Sequence, residues 1–361
     1  MRELSHEDAL DAVFGGSILA CGGGGWVEHG MMMGELATRI GHPSLCSVDE
    51  LDPGALVVTV TAIGAPASPN WEIRPLDYVR ALQLVAAELD RPVAAVMTAQ
   101  NGSSTTLNGW IQSAVLGVKV LDAAGDVRAH PTGKLGGLGL TDREGYETVQ
   151  AVAGGNRALC GGVEIVARGQ VVTTSDVLRD VCVRAGGFIA AARNPIDLAY
   201  VKENAAIGAV SYALSLGSAL RQATSDAESV MAAASAVTGG RVVASGAAAV
   251  VEPLRTEGGF DHGALGVGDC VLHYLNEYMT VDRGAERIAT YPDVIATLSL
   301  ETGRPVSIAQ MSEGREVAIF IVDRSMLPLS SSTRDRFALE EVEKIMGVNL
   351  LGDERGGRGG S

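Results

Sequence analysis

The order of short apolar segments between residues 55 and 122 restricts the fold of this chain more than any other sequence feature. Residues 55–61, 92–97 and 117–122 are short, apolar and rich in β-branched residues, as buried strands are. Residues 78–89 and 108–116, which lie between them, show helical spacing of apolar side chains. Strands that alternate with helices form α/β folds. We therefore predict an N-terminal α/β domain with a mainly parallel sheet.

Each predicted strand is followed by a loop of small and polar residues. These loops span residues 63–70, 100–106 and 123–133. The carboxyl ends of parallel strands meet at one edge of a sheet, and open α/β folds bind ligands there. We therefore expect Gln100, Asn101 and Asn108, in and beside the second loop, to contact a substrate.

Two helices are predicted at the start of the chain. Ser5 precedes Asp8 by three residues, which is typical of a helix N-cap, and apolar residues at helical spacing then predict a helix over 5–20. Residues 26–40 predict a second helix. Four consecutive glycines separate the two helices: Gly22, Gly23, Gly24 and Gly25.

The glycine run has two interpretations. It is either a tight turn between packed helices, or a place where bare backbone amides hold a carboxylate or phosphate of a substrate. A nucleotide-binding loop is not expected, because no Gly-Lys-Ser/Thr follows the run and the preceding segment is helical. Cys21, directly before the run, is either a nucleophile or a buried structural cysteine.

The third loop contains the densest group of reactive side chains. His130 could act as a general acid/base, bind a metal, or be a structural histidine, and Arg128 could bind a carboxylate. Asp122, at the end of the predicted strand, either orients His130 or forms a turn. The spacing of the other histidines does not define a metal site, so a divalent metal stays possible without an assigned ligand set.

The second half of the chain is predicted to contain a long helix followed by β-strands, without the strand–helix alternation of the first half. Residues 196–223 predict a helix rich in alanine and leucine, and β-type segments follow. These segments span residues 241–251, 264–274, 293–300 and 316–322. We therefore predict a smaller β-rich C-terminal domain.

This pattern predicts four parts of the chain: an α/β domain at 1–195, a connecting helical segment at 196–235, a β-rich domain at 236–350 and a disordered tail at 351–361. Small residues dominate the helix predicted at 196–223, and such a surface allows close helix packing inside the chain or between copies. We expect a homo-oligomer, since closed symmetric assemblies are common among soluble proteins.

Asn276 and Glu277 stand out in the β-rich half. Asn276 is a candidate substrate contact. Glu277 is a candidate acid/base or metal ligand, and the alternative is a solvated strand carboxylate. Adjacent residues of a strand point to opposite faces, so at most one of the two enters a site easily without a bulge.

The composition excludes several classes of partner. Lys and Arg number 28 against 43 Asp and Glu, so the formal net charge is −15. Nucleic acid and anionic membrane surfaces bind through clustered basic residues, and we predict neither partner.

The five cysteines occur without CxxC pairs, which fits reduced thiols. The first residues do not form a signal peptide and no apolar run reaches about 18 residues, so we expect a cytoplasmic protein with no membrane span.

Several short motifs occur in a fixed order along the chain. They are Cys-Gly-Gly-Gly-Gly at 21–25, Gly-Ala-Pro at 64–66, Arg-Ala-His-Pro at 128–131, Gly-Gly-Phe at 258–260, Asn-Glu at 276–277, Pro-Asp-Val-Ile at 292–295 and Glu-Thr-Gly at 301–303. Together they resemble the S-methyl thiohydantoin desulfurase domain family over residues 5–325.

The resemblance implies a two-domain protein, often found alongside hydantoin-metabolising enzymes. It also implies hydrolytic loss of methanethiol from an S-methylated thiohydantoin. The chain departs from the common pattern at Gln100, where many members carry Glu, and at residues 130–132, where they carry Phe-Pro-Glu. The acidic residues that the resemblance implies for the chemistry have therefore changed.

Two functions are expected from these observations. The first is a hydrolase of a small cyclic amide or amidine, in which His130 or Glu277 activates water and backbone amides near the glycines and the 101–108 loop stabilise an oxyanion. The second is a non-catalytic small-molecule-binding or partner subunit of a hydantoinase-type complex. No nucleotide cofactor is expected.

Overall fold

The structure is a computed structural model that describes residues 1–224 and 226–350. The helices are α1 (His6–Leu19), α2 (Val27–Ile40), α3 (Pro75–Ala86), α4 (Trp110–Leu116), α5 (Arg157–Cys160), α6 (Val171–Arg184), α7 (Leu198–Asn204), α8 (Ala209–Gln222), α9 (Ala227–Thr238) and α10 (Arg336–Met346). The tail predicted over residues 351–361 lies outside the described residues.

The strands form two sheets. Those of the first are β1 (Arg2–Glu3), β2 (Ser44–Cys46), β3 (Leu56–Gly64), β4 (Val93–Gln100), β5 (Lys119–Asp126), β6 (Thr148–Gly154), β7 (Val163–Gly169), β8 (Phe188–Asp197) and β9 (Ala206–Ile207). Those of the second are β10 (Arg241–Glu257), β11 (Phe260–Val267), β12 (Cys270–Leu275), β13 (Glu277–Arg283), β14 (Glu286–Thr290), β15 (Val294–Ser299) and β16 (Glu316–Val322).

The first sheet has the order β1-β2-β5-β4-β3-β8-β6-β7, and β9 pairs with β5. Its strands β2, β5, β4 and β3 are parallel, while β8 joins β3 in the antiparallel sense and β6 and β7 continue antiparallel. The three strands predicted from the sequence are β3, β4 and β5. The prediction of an N-terminal α/β domain is confirmed.

Helices cover both faces of the first sheet. Alternate side chains of β3 point to opposite sides: Val58 and Val60 pack with α1 to α4, and Val57 packs with α7. The Ser5 and Asp8 capping box begins α1 as predicted. Strands β6, β7 and β8 and helix α6 were not predicted from the sequence.

The second sheet is antiparallel, with the order β14-β13-β12-β11-β10-β16-β15, which confirms the β-rich C-terminal part. One face surrounds its own apolar core, and β15 and β16 on the other face pack against α1, α8 and α9. The single strand predicted over 264–274 is wrong, because a turn at Gly268 and Asp269 divides it into the hairpin β11–β12. Strand β14 and most of β13 were not predicted.

The prediction of one continuous helix over 196–223 is also wrong. The helical path ends at Ala205, the extended C-cap of α7, and the chain pairs briefly with β5 through β9 before α8 begins after Gly208, whose φ is +77°. The small residues of α8 pack inside the chain: a Cβ on Gly217 would overlap the Asp11 carbonyl oxygen of α1, and one on Gly15 would overlap the Ala213 carbonyl oxygen. The homo-oligomer and the domain limits at 195 and 235 stay predictions.

None of the helices within residues 1–224 and 226–350 is long and apolar enough to cross a membrane.

Candidate functional site

A cleft lies where the carboxyl ends of the parallel strands meet the second sheet, and it encloses about 450 Å³ including its mouth. Each of the three predicted loops contributes to its wall, through Pro66, Gln100 and His130. Asn276 and Glu277 complete the wall from the turn between β12 and β13. The structure thus brings together residues that are distant in sequence.

Glu277 is the central titratable group of this cleft. Its carboxyl is buried, its Oε1 accepts a hydrogen bond from the backbone N–H of Gly24 at 3.3 Å, and its Oε2 has no hydrogen-bond partner among the described residues. Burial raises the pKa of Glu277 to about 8, because the positive charge of Arg128 and the Gly24 hydrogen bond offset only part of the lost hydration. The carboxyl is therefore mostly protonated at neutral pH.

A tight turn explains how Asn276 and Glu277 both reach the cleft. Leu275 pairs with Glu277 across β12 and β13, and Asn276 between them has a φ of +56°. The side-chain oxygen of Asn276 accepts from the backbone N–H of Asp261 at 2.8 Å, which fixes the turn. The strict alternation expected for a strand is therefore interrupted at this point.

The glycine run is shaped to receive Glu277. Gly22, Gly24 and Gly25 have φ between +66° and +85°, which favours glycine. Gly23 is needed for space, since a Cβ there would overlap Oε1 of Glu277. The glycine run therefore forms a tight turn, and its Gly24 amide also binds a carboxyl group. That carboxyl belongs to Glu277 of the same chain and not to a substrate. Gly24 and Gly25 also line the cleft.

His130 is buried in the same cleft as a neutral imidazole. Its Nε2 lies 3.3 Å from the Ala99 carbonyl oxygen, which can only accept, so Nε2 carries the proton. Its Nδ1 has no hydrogen-bond partner among the described residues. Burial lowers the pKa of His130 to about 3, with a contribution from the positive charges of Arg193 and Arg128. His130 can accept a hydrogen bond from a ligand, but it is a weak proton acceptor.

Gln100 supports this histidine. Its side-chain oxygen accepts a hydrogen bond from the backbone N–H of His130 at 3.0 Å, and its side chain lines the cleft. An acceptor from Gln100 therefore fixes the loop that carries His130.

Arg128 lies outside the cleft. It is fully buried, and it donates to the carbonyl oxygens of Ala129, Tyr278 and Asp293 at 2.7–2.8 Å. Its guanidinium also lies 5.2 Å from the ring centroid of Tyr291. These contacts join the loop after β5 to the second sheet. The carboxylate-binding role expected for Arg128 has no support from this geometry.

Three other predicted residues are also directed elsewhere. Asp122 accepts hydrogen bonds from the backbone N–H and hydroxyl of Ser211 in the first turn of α8, and not from His130. Asn101 donates to the carbonyl oxygens of Val127 and Ala209 inside the protein. Asn108 is buried, and it does not line the cleft.

Two arginines of the cleft wall were missed by the sequence analysis. Arg179 of α6 donates to the carbonyl oxygens of Gly259 and Pro131 at 2.8 and 3.1 Å. Arg193 of β8 is 5% exposed, and its side-chain Nε has no hydrogen-bond partner among the described residues. Neither α6 nor β8 was predicted. An arginine directly after the apolar run at 188–192 was the available signal for Arg193.

The geometry of the cleft supports neither a cysteine nucleophile at Cys21 nor a metal site with identified ligands. Cys21 is fully buried and outside the cleft, and burial raises the pKa of its thiol to about 11. Within residues 1–224 and 226–350, no three His, Cys, Asp or Glu side chains come together as a metal site. A divalent metal stays a prediction without assigned ligands.

Comparison with known proteins places the chain in a family. The S-Me-THD-like N-terminal domain matches residues 7–157 and the S-Me-THD-like C-terminal domain matches residues 168–328. No curated protein matches the chain. A crystal structure of a protein from Chromobacterium violaceum is similar, with 21% identity, a TM-score of 0.72, and coverage of 96% of this chain and 97% of the other. That likeness concerns the fold. The two domain matches span most of the sequence, and the chain therefore belongs to the S-Me-THD-like family.

Proposed function

We propose that the chain hydrolyses a small cyclic amide or amidine, a hydantoin- or thiohydantoin-like ring, with Glu277 as the proton-transfer group. Membership of the S-Me-THD-like family supports the substrate class, and an S-methylated thiohydantoin is the specific candidate. The observation that carries the proposal is the buried carboxyl of Glu277, which has one unpartnered oxygen and lines a cleft where the two sheets meet.

The pKa of Glu277, raised to about 8, suits general acid catalysis at neutral pH. An S-methylated thiohydantoin has a C=N bond at the carbon that carries sulfur. Protonation of this ring nitrogen by Glu277 makes the carbon electrophilic, and water adds to it. The Glu277 carboxylate then takes one proton from the added water, which gives a neutral tetrahedral intermediate and restores the acid.

The same carboxyl group then serves the breakdown of the intermediate, first as a proton donor and then as a proton acceptor. Glu277 donates its proton to sulfur as the C–S bond breaks and methanethiol leaves, and it recovers a proton from the hydroxyl as the ring carbonyl forms. One water is consumed, and the products are methanethiol and a ring carbonyl. Neutral His130 offers Nδ1 as an acceptor for a ring N–H, which orients the substrate.

The test is turnover of an S-methyl thiohydantoin, followed by release of a free thiol, together with a panel of hydantoins and lactams. The Glu277→Gln variant should lose about 10²- to 10⁴-fold in kcat, the usual contribution of a positioned acid. Because the protonated form is the active one, kcat should fall as the pH rises above about 8. Exposed Glu144→Gln is the matched control.

Binding of the rings without turnover would reject the hydrolase and favour the small-molecule-binding alternative. Turnover that is unchanged in Glu277→Gln would reject Glu277 as the proton-transfer group.

A further inference from the structure

The cleft contains a cationic wall that the proposed hydrolysis does not use. Arg193 and Arg179 both line it, and the positive charge of Arg179 contributes to a lowered pKa for Arg193. Burial is the larger cause of that shift, which brings the pKa of Arg193 to about 10, so the guanidinium stays charged at neutral pH.

Arg193 differs from the other deeply buried cations that the structure describes. Arg128 donates to three carbonyl oxygens, as given above. Lys134 forms ion pairs with Asp176 and Glu341 at 2.7 and 2.8 Å. Arg193, by contrast, is 5% exposed, and its side-chain Nε has no hydrogen-bond partner among the described residues. A buried charge without a partner is costly, so a stable protein keeps one where a ligand supplies the partner.

The backbone leaves space for this guanidinium. A Cβ on Gly133 would overlap Nη1 of Arg193, and Gly133 itself lines the cleft. The loop that carries His130 therefore continues into a glycine against which the planar group lies. Nearby carboxylates do not neutralise it, since Asp176 and Glu341 are bound by Lys134.

We propose that Arg193, with Arg179 beside it, binds a carboxylate of the substrate, so that the cleft selects rings with an acidic side arm. The inference rests on the proposed hydrolysis for the identity of the ring. A guanidinium matches a carboxylate through two parallel hydrogen bonds, and the Arg193 side chain that lines the cleft is 5% exposed. Glu277, mostly protonated at neutral pH, does not compete for the guanidinium as an anion.

The test is calorimetric binding at neutral pH to the full chain. The probes are hydantoins with a 5-carboxyalkyl arm of one, two or three methylenes, each compared with its carboxamide. At least one acid should bind about tenfold or more tightly than its amide, because charge-assisted hydrogen bonds are the strong ones. Arg193→Met should reduce this preference to about one. Arg184→Met, which removes an exposed arginine of α6, is the control and should keep it.

Gly133→Ala provides a second variant that keeps the charge and displaces the guanidinium, and it should also reduce the preference. It replaces Arg193→Met if that variant does not fold. Equal binding of every acid and its amide by the wild-type protein would overturn the inference, as would a preference that survives both variants.

The two proposals fail separately. A preference for acids without any turnover keeps the anion site and rejects the hydrolase. Turnover with the same kcat/KM for acids and amides keeps the hydrolase and rejects the anion site.

Discussion

Replacement of Glu277 by glutamine should stabilise the protein at alkaline pH while it removes the proposed acid. Burial raises the pKa of this carboxyl from 4.5 to about 8. Between these values the folded protein keeps a proton that the unfolded chain has released, so the folded state loses stability as the pH rises. Each pH unit in this window costs about 1.4 kcal/mol, and the whole window amounts to about 5 kcal/mol.

Glutamine does not titrate, and it preserves the size of the side chain and an acceptor for the Gly24 N–H. Other buried groups titrate in or near the same range, since burial raises the pKa of Asp126 to about 6 and lowers the pKa of His29 to about 4. Their effects are common to both proteins and cancel in the difference between them. The difference in stability therefore reports Glu277.

The assay is scanning calorimetry of wild-type and Glu277→Gln proteins at intervals from pH 5 to pH 9. The melting temperature of the variant should exceed that of the wild type by a margin that grows with pH and becomes constant above about pH 8. Exposed Glu144→Gln should show no such trend. An equal margin at pH 5 and pH 9 would refute the assigned burial cost and remove the basis for Glu277 as an acid at neutral pH.

Three further substitutions test the packing around the site. Gly23→Ala should lower both the melting temperature and kcat, since the new methyl overlaps the Glu277 carboxyl; a variant with wild-type values of both would contradict this contact. Gly217→Ala should destabilise the chain by about 2 kcal/mol in urea unfolding, because its methyl meets the Asp11 carbonyl; an unchanged midpoint would show that α1 and α8 are further apart. Arg128→Lys should cost about 3 kcal/mol in the same assay, since lysine cannot reach all three carbonyl oxygens; a cost below about 1 kcal/mol would contradict its role as a buried connector.

Local patterns in the sequence predicted the features that depend on neighbouring residues. The Ser5 and Asp8 pair begins α1 because capping needs only a three-residue spacing. The three apolar runs became β3, β4 and β5, and the loops after them meet at one sheet edge because parallel strands share their direction. The alternation of side chains expected for a strand does not hold at Asn276. Its φ is positive, and its side chain is held by the backbone N–H of Asp261, 15 residues away in the sequence.

The tertiary structure alone decided which charged groups face the cleft. Arg128, which lies in the Arg-Ala-His-Pro motif, donates to carbonyl oxygens 150 and 165 residues away. Arg193, in a strand that was not predicted, keeps its Nε without a partner among the described residues. Glu277 owes its raised pKa to burial in the folded chain, and the N–H of Gly24, 253 residues away in sequence, offsets only part of that effect. Desolvation and charge pairing depend on what surrounds a side chain after folding, and residue spacing along the chain does not specify those surroundings.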